Sequence, residues 1–216
     1  MQEGLKNSPR RLEYEPGFRG WMREHPGVLN AVRDTVKTLE AIPDDKLENE
    51  MKDKMNFDIG AIDIELQGGG ELSARNGFRY YYLKASVQDE HFFIKVQTYE
   101  EEDRLIRNGA DEFNSTVSAK EILANVDWVE VVEPLFGYQE TVNERKQSYF
   151  VSKWRDLPHA NEVLYELSEK KDPKFNELLS KVKELKRLLP GFFDVRPRNM
   201  FYDKATNKLV LYDVSE

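Results

Sequence analysis

The residues best suited to do chemistry lie near the C-terminal end, in the segment DVRPRN at 194–199. It contains Asp194, Arg196 and Asn199, and a strand-like segment after it ends in Asp213. Side chains of these types can accept a proton, hold an anionic group or bind a hard cation. An Asp followed five residues later by Asn arises by chance roughly once in a chain so rich in Asp, so that pair alone indicates little. Its surroundings support the prediction, because an amphipathic helix pattern precedes the segment and a hairpin pattern follows it.

The composition excludes several other kinds of site. The 216-residue chain has no Cys, which excludes thiol catalysis, disulfides and Cys-ligated metals. Its three His residues, His25, His91 and His159, lack metal-ligand spacing, so we expect neither a His-based metal site nor a Ser/His/Asp triad. The net charge of −8 opposes general nucleic-acid binding, because phosphate contacts need concentrated Lys and Arg. A nucleotide bound in one local site is compatible with this charge.

No segment predicts a membrane span or a secretory signal. Runs of about 18 apolar residues are absent, and the N-terminal MQEGLKNSPRRLEYEPGF is polar. We therefore predict a cytoplasmic protein with neither a membrane nor a nucleic acid as partner. With 39% hydrophobic residues, the chain can bury an ordinary core.

The elements that must position the candidate residues form an α+β pattern. Residues 1–25 predict an irregular lead-in, and 26–42 predict an amphipathic helix that either packs behind a sheet or offers a substrate-docking surface. The segment DDKLENEMKDK is either a short helix or a solvated connector. Helices are also predicted at 111–125, 159–169 and 174–189, and a hairpin ends the chain. Five strand-like segments surround the first of these helices, three before it and two after it: IDIELQ, FRYYYLKAS, HFFIKVQTY, VDWVEVVEPLFGY and QSYFVSKW.

In this order the residues resemble the protein-kinase-like superfamily. DVRPRN resembles the protein-kinase catalytic loop, commonly Asp-Leu-Lys-Pro-Glu-Asn, and Asp213 stands where kinases place the Asp of their DFG motif. FFIK at 92–95 is similar to the third-strand Val-Ala-Ile-Lys pattern. The resemblance covers about residues 60–216. It implies a two-lobe fold, with an N-terminal extension at 1–57, a five-stranded antiparallel N-lobe sheet with one helix at 58–152, and a reduced helical C-lobe at 153–216.

The resemblance implies phosphoryl transfer from ATP with Mg2+ as cofactor, and a role for each matched residue. Asp194 would accept or orient the proton of the attacking hydroxyl, and Arg196 would stabilise the transferring phosphoryl group. Asn199 and Asp213 would hold magnesium. Lys95 would contact the α- and β-phosphates and pair with a helix carboxylate.

The identity of that carboxylate is open in the sequence. Alignment on the usual helix puts Ala119 at the partner position, Glu112 lies two turns earlier on the same face, and Glu121 points away from it. We favour Glu112 as the partner of Lys95.

The nucleotide-binding segments match less well. YFVSKWRDLP resembles the connector between kinase lobes, where backbone groups of Lys153 and Arg155 would meet the adenine edge, although Trp154 fits an interlobe packing role equally. No GxGxxG occurs, and the candidate phosphate-covering loop is QGGGELSARNG, which could equally form an unrelated hairpin turn. The kinase His two residues before the catalytic Asp is replaced by Phe192. The glycines of the candidate loop are Gly68, Gly69 and Gly70.

We therefore predict an ATP- and magnesium-dependent phosphotransferase that acts on a protein or small-molecule hydroxyl. The alternative is a pseudokinase, a nucleotide-binding interaction module without turnover. A third hypothesis, an interaction protein with an accidental motif, would leave the matched side chains far apart. The kinase-like hypothesis needs them on one cleft, which would unite Lys95, Asp194, Asn199 and Asp213.

Overall fold

The computed structural model describes residues 17–42, 55–73, 78–99, 109–142, 145–192 and 195–213. These residues form a mixed α+β structure with one large and one small sheet. None of the helices in these ranges combines the length and the apolar character needed to cross a bilayer. The charged segment DDKLENEMKDK lies outside the described residues.

Within the described residues, two helices precede the strands: α1 (Gly17–Glu24) and α2 (Val28–Glu40). The prediction of α2 is confirmed to within two residues at each end, whereas the prediction of an irregular lead-in is wrong for α1. A helix of eight residues has little stability of its own, so α1 depends on packing of its apolar side chains. Trp21 is buried against the rings of Phe92 and Phe136, which lie on the large sheet.

The large sheet of the described residues has six strands: β1 (Asn56–Ile59), β2 (Ile62–Ser73), β3 (Phe78–Val87), β4 (Glu90–Tyr99), β6 (Pro134–Val142) and β7 (Arg145–Lys153). All are antiparallel to their neighbours, in the order β1-β2-β3-β4-β7-β6. The prediction of five strands is wrong because residues before Ile62 form a further edge strand, joined to β2 by a tight turn in which Gly60 has φ +70°.

The small sheet has the order β5-β9-β8, with β5 (Val129–Val131), β8 (Met200–Asp203) and β9 (Lys208–Leu211). Strand β5 runs parallel to β9, and β8 runs antiparallel to β9. The prediction of one strand through VDWVEVVEPLFGY is therefore wrong. The chain leaves the small sheet after Val131 and enters the large sheet at Pro134, a residue that lacks the N–H needed to continue a ladder.

Three further helices complete the described structure: α3 (Gly109–Ile122), α4 (Ala160–Glu169) and α5 (Lys174–Leu188). Each confirms a predicted helix to within three residues. A 3-10 turn, Pro197–Asn199, leads directly into β8.

Helices α1 and α2 cover one face of the large sheet, as the packing alternative for residues 26–42 requires. The Arg33 guanidinium of α2 binds both carboxylate oxygens of Glu140 on β6, each at 2.6 Å. In β4 the side chains of Phe92, Ile94 and Val96 belong to the core under these helices. Because side chains alternate along a strand, Phe93, Lys95 and Gln97 point to the opposite face. That face looks toward the small sheet.

Candidate active site

Lys95 is fixed in the middle of the large sheet. In the ladders of β4 it lies opposite Tyr82 of β3 and Phe150 of β7. Its side chain is only 11% exposed. A buried ammonium needs compensating charge, so its partners decide whether this position is viable.

The first partner is Glu112 on α3, whose carboxylate oxygen Oε1 lies 2.6 Å from Lys95 Nζ. The same oxygen accepts a hydrogen bond of 3.1 Å from the Gln97 side-chain amide. The Glu112 side chain is 5% exposed. The structure thus contains the Lys95–Glu112 ion pair that the sequence analysis favours, and Ala119 is a core residue of the same helix.

Two glycines bring α3 close enough to the sheet for this pair to form. A Cβ at Gly109 would overlap the backbone carbonyl of Tyr149, and a Cβ at Gly137 would overlap the carbonyl of Gly109. The N–H of Gly109 also donates to the Ser148 hydroxyl of β7. Only residues without a side chain allow backbones to approach this closely. Nothing local in the sequence indicates the role of these two glycines, because that role depends on contacts between distant segments.

The second partner is Asp213, which follows β9. Its Oδ1 lies 3.1 Å from Lys95 Nζ, and its Oδ2 accepts a hydrogen bond of 3.4 Å from the Tyr82 hydroxyl. Lys95 therefore bridges two buried carboxylates that come from different parts of the fold. We call Lys95, Glu112 and Asp213 the buried ionic triad.

The triad changes the acid–base behaviour of its members and neighbours. Burial works against the charge on Lys95, but Glu112 and Asp213 outweigh it, so the pKa of the ammonium lies well above its usual value. Burial, with Asp213 as a second cause, raises the pKa of Tyr82. Lys95 is thus held as a cation and Tyr82 as a neutral hydroxyl donor at neutral pH.

Asn199 is brought to the same place by the 3-10 turn. Its backbone carbonyl accepts a hydrogen bond from the Tyr212 N–H at 3.4 Å, and the Tyr212 hydroxyl donates to the Arg198 carbonyl at 2.6 Å. Tyr212 precedes Asp213, so these two bonds tie the turn to the strand end that carries the carboxylate. Asn199 and Asp213 are both 7% exposed.

These residues line one cleft of about 360 Å3 between the two sheets. The predicted Lys95, Asn199 and Asp213 are brought together there, whereas Asp194 lies outside the described residues. The described residues that line the cleft are Tyr80, Tyr82, Lys95, Gln97, Arg198, Asn199, Tyr212 and Asp213.

The cleft is lined by a different arginine from the one predicted. Arg196 and Arg198 are both exposed, but of these two only Arg198 is among the described lining residues. Arg198 is not among the site residues predicted from the sequence, although its position next to Asn199 is a usable signal. The role of Arg196 in phosphoryl transfer stays a prediction.

The described parts of the predicted nucleotide-binding segments form strand and connector structure, and residues 74–77 of the candidate loop lie outside the described residues. Gly68, Gly69 and Gly70 lie within β2 rather than at a turn, opposite the three tyrosines of β3 and next to a bulge. The Lys153 N–H donates to the Glu133 carbonyl at 3.1 Å, and the Arg155 side chain forms an ion pair with Glu130 at 3.0 Å. Their roles in binding a nucleotide stay predictions.

Comparison with known proteins does not identify a function for this site. No protein-family model and no curated protein matches the chain. The chain is similar to a solved structure described as a co-crystal structure of WbdD and a kinase inhibitor, with a TM-score of 0.35 and 16% sequence identity. The similarity covers 73% of this chain and 34% of that chain, so this chain spans about a third of its length. A likeness this weak carries no argument, and the function has to be inferred from the site itself.

Proposed function

We propose that this protein is an ATP- and magnesium-dependent phosphotransferase of the kinase-like kind, which transfers a phosphoryl group to a protein or small-molecule hydroxyl. The observation that carries the proposal is the buried ionic triad at the wall of a polar cleft. A buried Lys bridging two carboxylates contributes little to stability compared with apolar side chains of the same size. The presence of Lys95 at this position is better explained by a bound anion than by folding.

Lys95 is suited to hold a phosphate chain. An ammonium has three N–H donors, and the ion pairs to Glu112 and Asp213 employ two of them. The two carboxylates keep the group charged and restrict its position, which lowers the entropy lost when an anion binds. Arg198 adds a second cation to the described lining of the cleft.

The donor set of the cleft also fits magnesium. Asp213 offers a carboxylate and Asn199 an amide oxygen, both of the hard type that magnesium prefers. Within the described ranges no three His, Asp or Glu side chains gather into a metal cage. Magnesium commonly uses one or two carboxylates together with substrate phosphates, so these two residues would be its protein ligands here. When bound, the ion would neutralise charge on the phosphate oxygens.

The remaining chemistry falls to side chains of the chain itself. Asp194 would accept or orient the proton of the attacking hydroxyl, as the resemblance of DVRPRN to a catalytic loop implies. Arg196 or Arg198 would stabilise charge on the transferring group. Tyr212 would position the turn relative to Asp213 through its bond to the Arg198 carbonyl.

One observation favours a second candidate, a nucleotide-binding module without turnover. Both oxygens of Asp213 already have partners in the chain, Lys95 on one and the Tyr82 hydroxyl on the other. To bind a metal ion, Asp213 would have to share or release these partners. A module that binds its ligand without a metal ion at Asp213 does not need that rearrangement.

Thermal unfolding with and without ATP and magnesium tests the proposal. A ligand that binds only the folded state raises its stability by mass action, so ATP with magnesium should raise the unfolding temperature. Asp213→Asn should remove the magnesium-dependent part of that rise. Asp127→Asn, which changes an exposed carboxylate, should leave it intact.

Transfer of radiolabelled phosphate separates the two candidates. Incubation of the protein with labelled ATP, alone and with cell extract, should give labelled product with the wild type and none with Asp194→Ala. Equal labelling in both would exclude Asp194 from catalysis. Binding without any transfer would favour the module without turnover, and absence of an ATP effect on stability would refute both candidates.

A further inference from the structure

The space beside the cleft is filled by aromatic side chains of the protein. We define the aromatic cluster by its five rings, which come from the large sheet, the connector after it and the small sheet. Four of the rings are buried and the fifth, Trp154, is partly buried. The members are Phe93, Phe150, Trp154, Phe201 and Tyr212.

The rings pack directly on one another. Phe93 stacks on Trp154 with 6.5 Å between ring centroids and meets Tyr212 edge-on at 5.6 Å. Phe201 stacks on Tyr212 at 4.4 Å. A nucleobase is a flat ring that needs a slot between apolar surfaces of this kind. Among the described residues the apolar space of this kind beside the cleft is occupied by the cluster, so a base could enter that space only by displacing a ring such as Phe93.

Three backbone groups of the connector already have hydrogen-bond partners within the chain. The N–H groups of Lys153 and Trp154 donate to the carbonyls of Glu133 and His91. The carbonyl of Arg155 accepts a bond from the Leu157 N–H. These backbone groups are therefore engaged within the chain.

The cleft itself has the opposite character, because cations, amides and tyrosine hydroxyls dominate its described lining. Resting on the proposed function, we infer that the cleft recognises the phosphate chain of its donor and is indifferent to the base. The tyrosine rings that border the cleft, Tyr80, Tyr82 and Tyr212, do not change this inference, since any base can stack on a tyrosine. The ligand class is thus a polyphosphate, with or without a nucleoside attached.

Isothermal titration calorimetry in excess magnesium tests the inference with ATP, GTP, CTP, inorganic tripolyphosphate and adenosine. The four triphosphates should bind with affinities within about threefold of one another, and adenosine should not bind. ATP binding tighter than tripolyphosphate by about tenfold or more would overturn the inference while leaving the proposed function in place. Binding of none of the triphosphates would overturn both.

A preference for ATP would have a clear structural origin. Two buried polar atoms beside Phe93, Ser152 Oγ and Trp154 Nε1, have no hydrogen-bond partner within the part of the chain that the structure describes. A base that displaced the Phe93 ring would come within reach of them. The titration therefore distinguishes a closed slot from one that opens on binding.

A pair of variants tests the role of Phe93 directly. Phe93→Ala removes a ring from the aromatic cluster and should raise the ratio of ATP to tripolyphosphate affinity by about fivefold or more. Phe92→Ala is the matched control, because the neighbouring ring packs on the opposite face against Trp21 and should leave the ratio unchanged. An unchanged ratio in a folded Phe93→Ala protein would refute closure of the slot by this ring. Near-UV circular dichroism verifies folding, and the wild-type titration decides alone if the variant is unfolded.

Discussion

Replacement of Lys95 by Met should destabilise the protein strongly. The variant keeps the length of the side chain but removes the cation from between Glu112 and Asp213. Two carboxylates, 5% and 7% exposed, then lie buried without their counter-charge. Both lie within 3.1 Å of Lys95 Nζ in the wild type, so each loses a direct ion pair in the variant.

The expected loss follows from this burial. Breaking a buried ion pair by removing one partner costs about 3–5 kcal/mol, a large part of the ~5–15 kcal/mol that stabilises an ordinary domain. Lys120→Met is the matched control, since it breaks an ion pair with Glu133 whose side chains are 47% and 54% exposed. An exposed pair contributes about 0–1 kcal/mol, so the control should unfold almost like the wild type.

The loss should also depend on pH. In the wild type the raised pKa of Lys95 means that its contribution is complete below the usual lysine value of about 10.4 and is lost only above it. It is therefore constant between about pH 5 and pH 8. The deficit of Lys95→Met should thus be the same at pH 5 and at pH 8, and it should narrow only as the pH rises above about 10.

Urea unfolding followed by tryptophan fluorescence measures these differences at both pH values. Lys95→Met combined with Glu112→Gln should recover part of the loss, because one buried charge is removed with little change of shape. A Lys95→Met variant within about 1 kcal/mol of the wild type would refute the triad as a buried ionic unit.

Three further outcomes follow from the same structure. Gly137→Ala should lower the free energy of urea unfolding by about 2–3 kcal/mol, because the added Cβ would overlap the Gly109 carbonyl. Gly20→Ala, whose added Cβ would meet no described heavy atom within 4 Å, should stabilise α1 by up to ~1 kcal/mol. Tyr212→Phe should cost about 1 kcal/mol by losing the bond to the Arg198 carbonyl and should reduce the thermal shift with ATP and magnesium; an unchanged shift would argue against a positioning role. The raised pKa of Tyr82 means that the folded protein keeps a proton that the unfolded chain releases, so urea midpoints should fall as the pH rises above about 10.

Local patterns in the sequence were sufficient to predict most of the helices and strands that position the site residues. Helical spacing predicts four of the five described α-helices, and strand alternation allows Lys95 to point away from the helix-covered face. The juxtaposition of Asn199 and Asp213 is implied by the resemblance of DVRPRN and the strand ending in Asp213 to kinase motifs. The helices and strands, in contrast, follow from periodicity within single segments, where local structure is determined.

The features that the sequence did not predict depend on contacts between distant segments. Strand β5 is three residues long, and its parallel partner β9 lies far along the chain, so nothing local indicates that it leaves the large sheet. Helix α1 is stabilised by the rings of Phe92 and Phe136 rather than by its own pattern. The close approach of Gly109 and Gly137 likewise exists only once α3 lies on the sheet.

The buried ionic triad and the aromatic cluster place opposite demands on the same junction between the sheets. The cluster holds the sheets together through apolar rings, and burial of such rings favours folding. The triad places three charges beside it, and apolar residues of similar volume would often stabilise the junction at least as well. Folding alone therefore accounts for the rings but not for Lys95. On the proposed function, an anion that enters the cleft would explain the charge, and the filled aromatic slot beside the cleft would restrict that anion to a phosphate chain.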